Sequence, residues 1–150
     1  MREVWKPNVT VAAVIERNGK FLLVEEETDG GVRFNQPAGH LDPDESLVEA
    51  CVRETLEETA WHFTPTALVG IYQWPRPQGD LTYLRFAFTG QLGEHAADRA
   101  LDAGILRALW LSQEEIRAGQ ERHRSPLVQQ CIADYLAGRR FPLDLIRHYA

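Results

Sequence analysis

The sequence predicts an α/β domain: a mixed sheet covered on both faces by helices. Three observations carry that prediction. Short runs rich in Val, Ile and aromatic residues recur along the chain, interleaved with two or three segments of helical periodicity. Ser46 with Glu49, and Ser112 with Glu115, have the spacing of a capping box, in which serine and glutamate side chains satisfy backbone N–H groups that the first turn of a helix leaves free. Asn18-Gly19 is a strong two-residue hairpin signal, because both residues accept the positive φ of a tight turn. Strands alternating with helices bury both faces of a sheet when helices lie on each.

In chain order, residues 9–15 read as a buried strand, and the Asn18-Gly19 turn returns residues 21–26 as its partner. Thr28-Asp29-Gly30-Gly31 breaks the chain, residues 32–35 form a short strand, and Gln36-Pro37-Ala38-Gly39 is read as loop. The first helix spans residues 46–60. Residues 66–74 and 81–91 are further strands joined by the loop 75–80. The second alternates, with Leu81, Tyr83, Arg85, Ala87 and Thr89 on one side and Thr82, Leu84, Phe86 and Phe88 on the other. Residues 94–103 read as a polar loop holding at most a turn of helix, and 106–111 as a strand. Ser112 opens a short helix to Ala118. Ser125-Pro126 opens a last amphipathic helix that ends at Gly138. Residues 141–149 are apolar enough to dock on the body, with no form assigned.

With 150 residues and 44% hydrophobic content, the chain suits one domain, 1–150, with a substantial core. The net charge of -6 excludes a duplex-binding surface, since affinity for a nucleic acid polymer comes from clustered Lys and Arg. Small anionic substrates stay open if metal ions screen them. Cys51 and Cys131 fall on apolar-leaning helical positions and read as buried free thiols in a reducing compartment. No long apolar run and no signal-like start appear in MREVWKPNV, so the expectation is a cytoplasmic protein without a membrane partner. One compact domain is expected to be a monomer.

The chemistry concentrates between Gly39 and Trp61. At about 100° per residue, Glu54, Glu57 and Glu58 share one narrow arc of the first helix. Like charges at these spacings each cost a helix roughly 0.2–0.5 kcal/mol, and carboxylates in a last turn oppose the macrodipole by about 0.3–1 kcal/mol apiece. Stability alone does not choose this arrangement. A hard divalent cation does, because Mg²⁺ takes a few carboxylate oxygens and completes its shell with waters and substrate phosphates. The competing reading is a solvated acidic face softened by Arg53 pairing with Glu49 and Glu57 at i,i±4.

The segment before the helix shifts the balance. Gly39 is followed after five residues by Glu45, after seven more by Arg53-Glu54, and then by Glu57-Glu58. This is the spacing of the Nudix box, and the chain resembles the Nudix hydrolases, a family that hydrolyses nucleoside diphosphates linked to another group. Two positions depart from the pattern: Thr55 stands where an aliphatic residue is usual, and Ala60 where the box closes on glycine. The resemblance continues through Asn35-Gln36-Pro37-Ala38-Gly39-His40-Leu41, Gln73-Trp74, Leu84-Arg85-Phe86, Arg124-Ser125-Pro126-Leu127-Val128 and Arg140-Phe141-Pro142-Leu143. These match a bacterial branch associated with phosphate release from nucleoside tri- and diphosphates and from thiamine pyrophosphate and hydroxymethylpyrimidine pyrophosphate.

The resemblance implies an αβα sandwich and water attack at phosphorus assisted by Mg²⁺, with Mn²⁺ as the alternative ion. It implies Glu57 and Glu58 as metal ligands with the Gly39 backbone carbonyl as a third, and Glu54 as a further ligand or as proton acceptor. It also implies a Glu45–Arg53 salt bridge that folds the loop onto the helix, against the plain Arg53–Glu49 helical pair. Outside the box, Asp98 or Asp102 is a candidate extra carboxylate. Arg33, Arg85 and Arg124 are candidate phosphate contacts, Arg85 foremost because a charge midway along an apolar strand needs a partner. Phe34, Trp74 and Tyr83 are candidates to stack on a ring, and as strand aromatics are equally suited to core. His40 lies beside Gly39 and is a candidate contact, and His123 has no assigned role. Two other functions stay open: a pyrophosphatase cutting the α–β bond of a nucleotide-sugar or dinucleoside polyphosphate, and a sensor that binds a phosphorylated ligand without turnover.

Overall fold

Val11, Ala13 and Ile15 pack into one hydrophobic core, and the intervening Ala12 and Val14 pack into another. Period-two alternation therefore buries this run on both faces. In the computed structural model, which describes residues 2–150, the strands are β1 (Asn8–Ala13), β2 (Glu16–Arg17), β3 (Lys20–Thr28), β4 (Gly31–Asn35), β5 (Ala38–His40), β6 (Trp61–Pro75), β7 (Thr82–His95) and β8 (Ile105–Ser112). Met1, where the MREVWKPNV start begins, lies outside the described residues. The α-helices are α1 (Leu47–Thr59), α2 (Gln113–Ala118) and α3 (Leu127–Leu136).

Among the described residues there are two sheets rather than one. The first is mixed, in the order β5-β1-β7-β6, with β1 and β7 parallel and the other pairs antiparallel. The second is antiparallel, with β3 pairing with β2, β4 and β8. They join where β1 runs out: Val14 N–H donates to Phe88 O at 2.7 Å, and Leu22 N–H donates to Ile15 O at 2.9 Å. The alternation persists across both. Leu22, Phe88 and Trp110 lie with Ala50 and Cys51 of α1, whereas Phe21, Ala87 and Leu109 lie with Ile116 of α2 and Cys131 and Ile132 of α3. Helices on both faces complete an αβα sandwich.

The Asn18-Gly19 turn forms, with φ of 53° and 78°, but it pairs β3 with the two-residue β2 and not with residues 9–15. That earlier run lies between β5 and β7 in the other sheet, because its doubly buried pattern suits a central strand. β5 replaces an expected loop, and β6 and β7 run longer than expected, to 15 and 14 residues. The polar segment after β7 contains turns and no helix. Both capping boxes close with side chains bonded in both directions. Ala60 ends α1 in the left-handed region at φ 63°, its N–H donating to Leu56 O. Residues 141–149 dock through an isolated bridge between Phe141 and Leu68 and a 3₁₀ turn, Leu143–Leu145, with Leu143 and Ile146 against the α1-side core.

Candidate active site

β5 lies directly on the acidic face of α1, and glycine is what allows it. A Cβ on Gly39 would fall on the Glu54 carboxyl. One residue earlier, Ala38 N–H donates to Glu58 Oε1 at 2.9 Å, so the strand both approaches and anchors the helix carboxylates. Glu58 is 9% exposed. Burial pushes its carboxyl up to about 8 against the downward pull of the Ala38 bond, and the charges of Glu26, Glu54 and Asp102 push the same way. Burial also raises Glu54, in part offset by Arg53.

Arg53 spreads its guanidinium among several acceptors. Nε and Nη2 donate to the two oxygens of Glu45 at 3.0 and 2.7 Å, and Nη2 also donates to the His40 carbonyl at 2.9 Å. Nη1 reaches Glu54 at 2.7 Å and Glu57 at 3.3 Å. Arg53 thus bonds Glu45 rather than Glu49, whose carboxylate is taken by the Ser46 cap. Arg53 holds Glu45 below the usual carboxylate range. The loop before α1 is thereby fastened to the helix and to β5.

As they stand, no three His, Cys, Asp or Glu side chains among the described residues converge closely enough to hold an ion. Arg53 draws Glu54 and Glu57 toward itself, and no salt bridge among the described residues reaches Glu58. The donor set nevertheless fits a hard cation: oxygen donors only, two of them with raised pKa values that a cation would lower. Of the later-loop candidates, Asp102 is the one whose charge reaches Glu54 and Glu58. Its N–H donates to the Glu57 carbonyl at 3.0 Å. Asp98 is not among these influences.

Glu54, Glu58, Gly39 and His40 line a cavity of about 1270 Å³ together with Arg33, Trp74, Tyr83, Arg85 and Arg124. Arg85 is 6% exposed. Its partners are neutral: Gln36 Oε1 at 3.0 Å, Asn35 Oδ1 at 3.1 Å and Cys131 Sγ at 3.9 Å. No ion pair serves it among the described residues. Arg33 instead donates to the carbonyls of Gly30 and Glu121, and Arg124 is paired with Glu26 at 2.6 Å. Trp74 and Tyr83 face each other across β6 and β7, stacked with centroids 6.0 Å apart and 17° between planes.

Phe34 is not on the cavity. It packs against the α2/α3-side core under the Arg122 guanidinium, which explains its aromatic character without a ligand. His123 bonds the Ile116 carbonyl at 2.9 Å through Nε2. Glu26, Asn35 and Gln129 line the cavity, and Gln36 bonds Arg85 beside it, yet sequence reading gave none of them a site role. For Asn35 and Gln36 the polar pair just before Pro37 was the available signal. Glu26 sits in a run of three glutamates, which resembles a solvated strand edge. Gln129 offered no signal, being a polar residue in an amphipathic helix.

The comparisons with known proteins agree with this geometry. Residues 5–131 match the NUDIX domain. Phosphatase NudJ of Escherichia coli strain K12 is 43% identical over 143 residues, covering 95% of this chain and 92% of the relative. A NUDIX hydrolase from Nitrosomonas europaea superposes with a TM-score of 0.94 at 57% identity, covering 96% of this chain and 98% of that one. A bifunctional NMN adenylyltransferase/ADP ribose pyrophosphatase from Francisella tularensis, complexed with AMP and Mn ion, shares the fold at 21% identity and TM-score 0.68, over 89% of this chain and 42% of that one. The chain belongs to the NUDIX domain family and is a Nudix hydrolase.

Proposed function

We propose that this hydrolase is a Mg²⁺-dependent phosphohydrolase releasing phosphate from nucleoside tri- and diphosphates and from thiamine pyrophosphate and hydroxymethylpyrimidine pyrophosphate. The observation that carries the reading is Glu58: a buried carboxyl, crowded by Glu54, Glu26 and Asp102 and paired with no cationic side chain among the described residues, on the wall of a cavity. Such a group destabilises the empty protein, and a bound cation removes the penalty. The 43% identity to a named phosphatase supports phosphate release as the reaction.

In this reading Glu57 and Glu58, with the Gly39 carbonyl, hold the ion. When bound, Mg²⁺ supplies polarisation of the phosphoryl oxygens and a more acidic water. Glu54, whose pKa burial raises, either adds an oxygen to the set or accepts the proton of the attacking water. Arg53 holds Glu54 and Glu57 through Nη1 and ties Glu45 to β5, a positioning role. Arg85 meets negative charge on the substrate, since a buried guanidinium with neutral partners is otherwise uncompensated. His40 and Arg33 flank the same cavity. Residues 1–150 act as one domain, and the buried free thiols of Cys51 and Cys131 suit a reducing cytoplasm. Nothing in this reading requires a second copy, so the enzyme works as a monomer.

The cavity's size favours keeping a second bond open: it has room for a larger group beyond a diphosphate, as an α–β pyrophosphatase needs. The non-turnover sensor is set aside, because a pure binder has no use for four mutually repelling carboxylates. The test is a phosphate-release screen with and without Mg²⁺ over nucleoside di- and triphosphates, thiamine pyrophosphate, hydroxymethylpyrimidine pyrophosphate and ADP-ribose, with product analysis. Orthophosphate from diphosphates, dependent on Mg²⁺, supports the proposal. A nucleoside monophosphate plus a second phosphorylated fragment, with no orthophosphate, overturns it in favour of the other bond.

A further inference from the structure

The Arg85 guanidinium is held by two side-chain amides and by no carboxylate among the described residues. Nη2 donates to Asn35 Oδ1 at 3.1 Å and Nη1 to Gln36 Oε1 at 3.0 Å. All three residues are buried, and Asn35 lines the cavity with Arg85. Stability alone would choose otherwise. A carboxylate has the shape of the amide, makes charge-assisted hydrogen bonds roughly twice as strong, and neutralises a buried charge that is costly to leave unpaired. At Gln36 the backbone explains the amide: Nε2 donates to the Val128 carbonyl of α3 at 2.8 Å, where a carboxylate oxygen would be repelled. Asn35 has no such reason. Among the described residues its side chain bonds through Oδ1 alone, an atom that aspartate also supplies. What asparagine adds is neutrality, which satisfies the arginine and leaves its charge in place. We propose that Asn35 is a positioning residue of the substrate site: it fixes Arg85 while withholding a counter-charge, so that the guanidinium keeps its full charge for a phosphate group of the substrate.

The proposal rests on the reading of Arg85 as the group that meets substrate charge, but its test needs no turnover. The probe is methylenediphosphonate, a diphosphate analogue with a bridge that water does not cleave, bound to the full chain in the presence of Mg²⁺ and followed by calorimetry. A merely structural role and the proposed one rank two variants in opposite order. If Asn35 matters only as an acceptor, Asn35→Asp, which keeps the acceptor, is milder than Asn35→Ala, which removes it. On this proposal Asn35→Asp is the harsher, lowering affinity at least about tenfold by neutralising Arg85, whereas Asn35→Ala lowers it about threefold or less. Arg85→Gln lowers it as Asn35→Asp does, and adding Asn35→Asp to Arg85→Gln weakens binding by less than about threefold more, since the charge to be cancelled is gone. In steady-state hydrolysis the Asn35→Asp loss falls mainly on KM. An Asn35→Ala loss equal to or larger than that of Asn35→Asp overturns the proposal. So does an undiminished Asn35→Asp loss in the Arg85→Gln background, the mark of direct repulsion of the probe, or a loss confined to kcat. If no phosphorylated substrate is hydrolysed but the binding order holds, the proposed reaction fails and this assignment survives. If hydrolysis proceeds and the order is reversed, this assignment alone falls.

Discussion

Glu58 dictates how the metal-free protein responds to pH. Its carboxyl titrates near 8 in the folded chain against an ordinary value of 4.5, so the folded state holds its proton more tightly than the unfolded one. Stability from this group is therefore complete below about pH 4.5 and is lost as pH rises through 8. Glu58→Gln keeps an oxygen for the Ala38 N–H and carries no charge. In thermal melts without metal at pH 8 it should raise Tm by several degrees, flatten the fall between pH 5 and 8, and abolish turnover. Gly39→Ala has the opposite character. Its Cβ would displace the Glu54 carboxyl, so kcat should fall about a hundredfold, as misplacement by about an ångström does, with the melting curve little changed. Both residues were legible as members of the box spacing, but the reason Gly39 is glycine was not, because it depends on how closely β5 passes α1. Glu26 was hidden for a related reason. The arginines that occupy Glu25 and Glu26, Arg122 and Arg124, lie 97 and 98 residues further along the chain.

Helix α1 was legible at its start and not at its end. The Ser46–Glu49 box closes as its spacing requires, whereas Ala60 takes the left-handed cap that glycine normally fills. An L-residue with a Cβ is disfavoured there by about 1 kcal/mol. Ala60→Gly should therefore stabilise the protein by about that amount, raising Tm by roughly 2–4 °C and leaving kcat unchanged in a phosphate-release assay. The Arg53 clamp ties loop, helix and β5 together through one forked group. Arg53→Lys cannot reproduce the bidentate grip on Glu45. It should lower kcat about 10- to 100-fold while circular dichroism stays native. The hairpin turn was read correctly and its partner strand was not, because a turn motif fixes the two residues it joins but not which sheet the preceding run enters. β5 was invisible for the same reason: three residues of ordinary loop composition become a strand only when β1 lies alongside.

The layering of the whole molecule was legible from strands interleaved with helices, and the structure then sends Val11 and Ala12 to opposite cores. The division into two sheets depends on long-range pairing, such as β1 with β7, and no local signal records it. The cavity is a product of that division. It brings β3, β5, β7, α1 and α3 around one space, so Arg85 and Glu58 face a common volume although neither is near the other in sequence. Glu54 and Glu58 line this cavity and Glu57 shares their helix, the set proposed to hold a divalent ion. Electron paramagnetic resonance of Mn²⁺ titrated into the protein at pH 8 tests that assignment most directly. The native chain should take up Mn²⁺, and Glu57→Gln and Glu58→Gln should each weaken uptake at least tenfold. Undiminished Mn²⁺ binding in both variants would contradict the account.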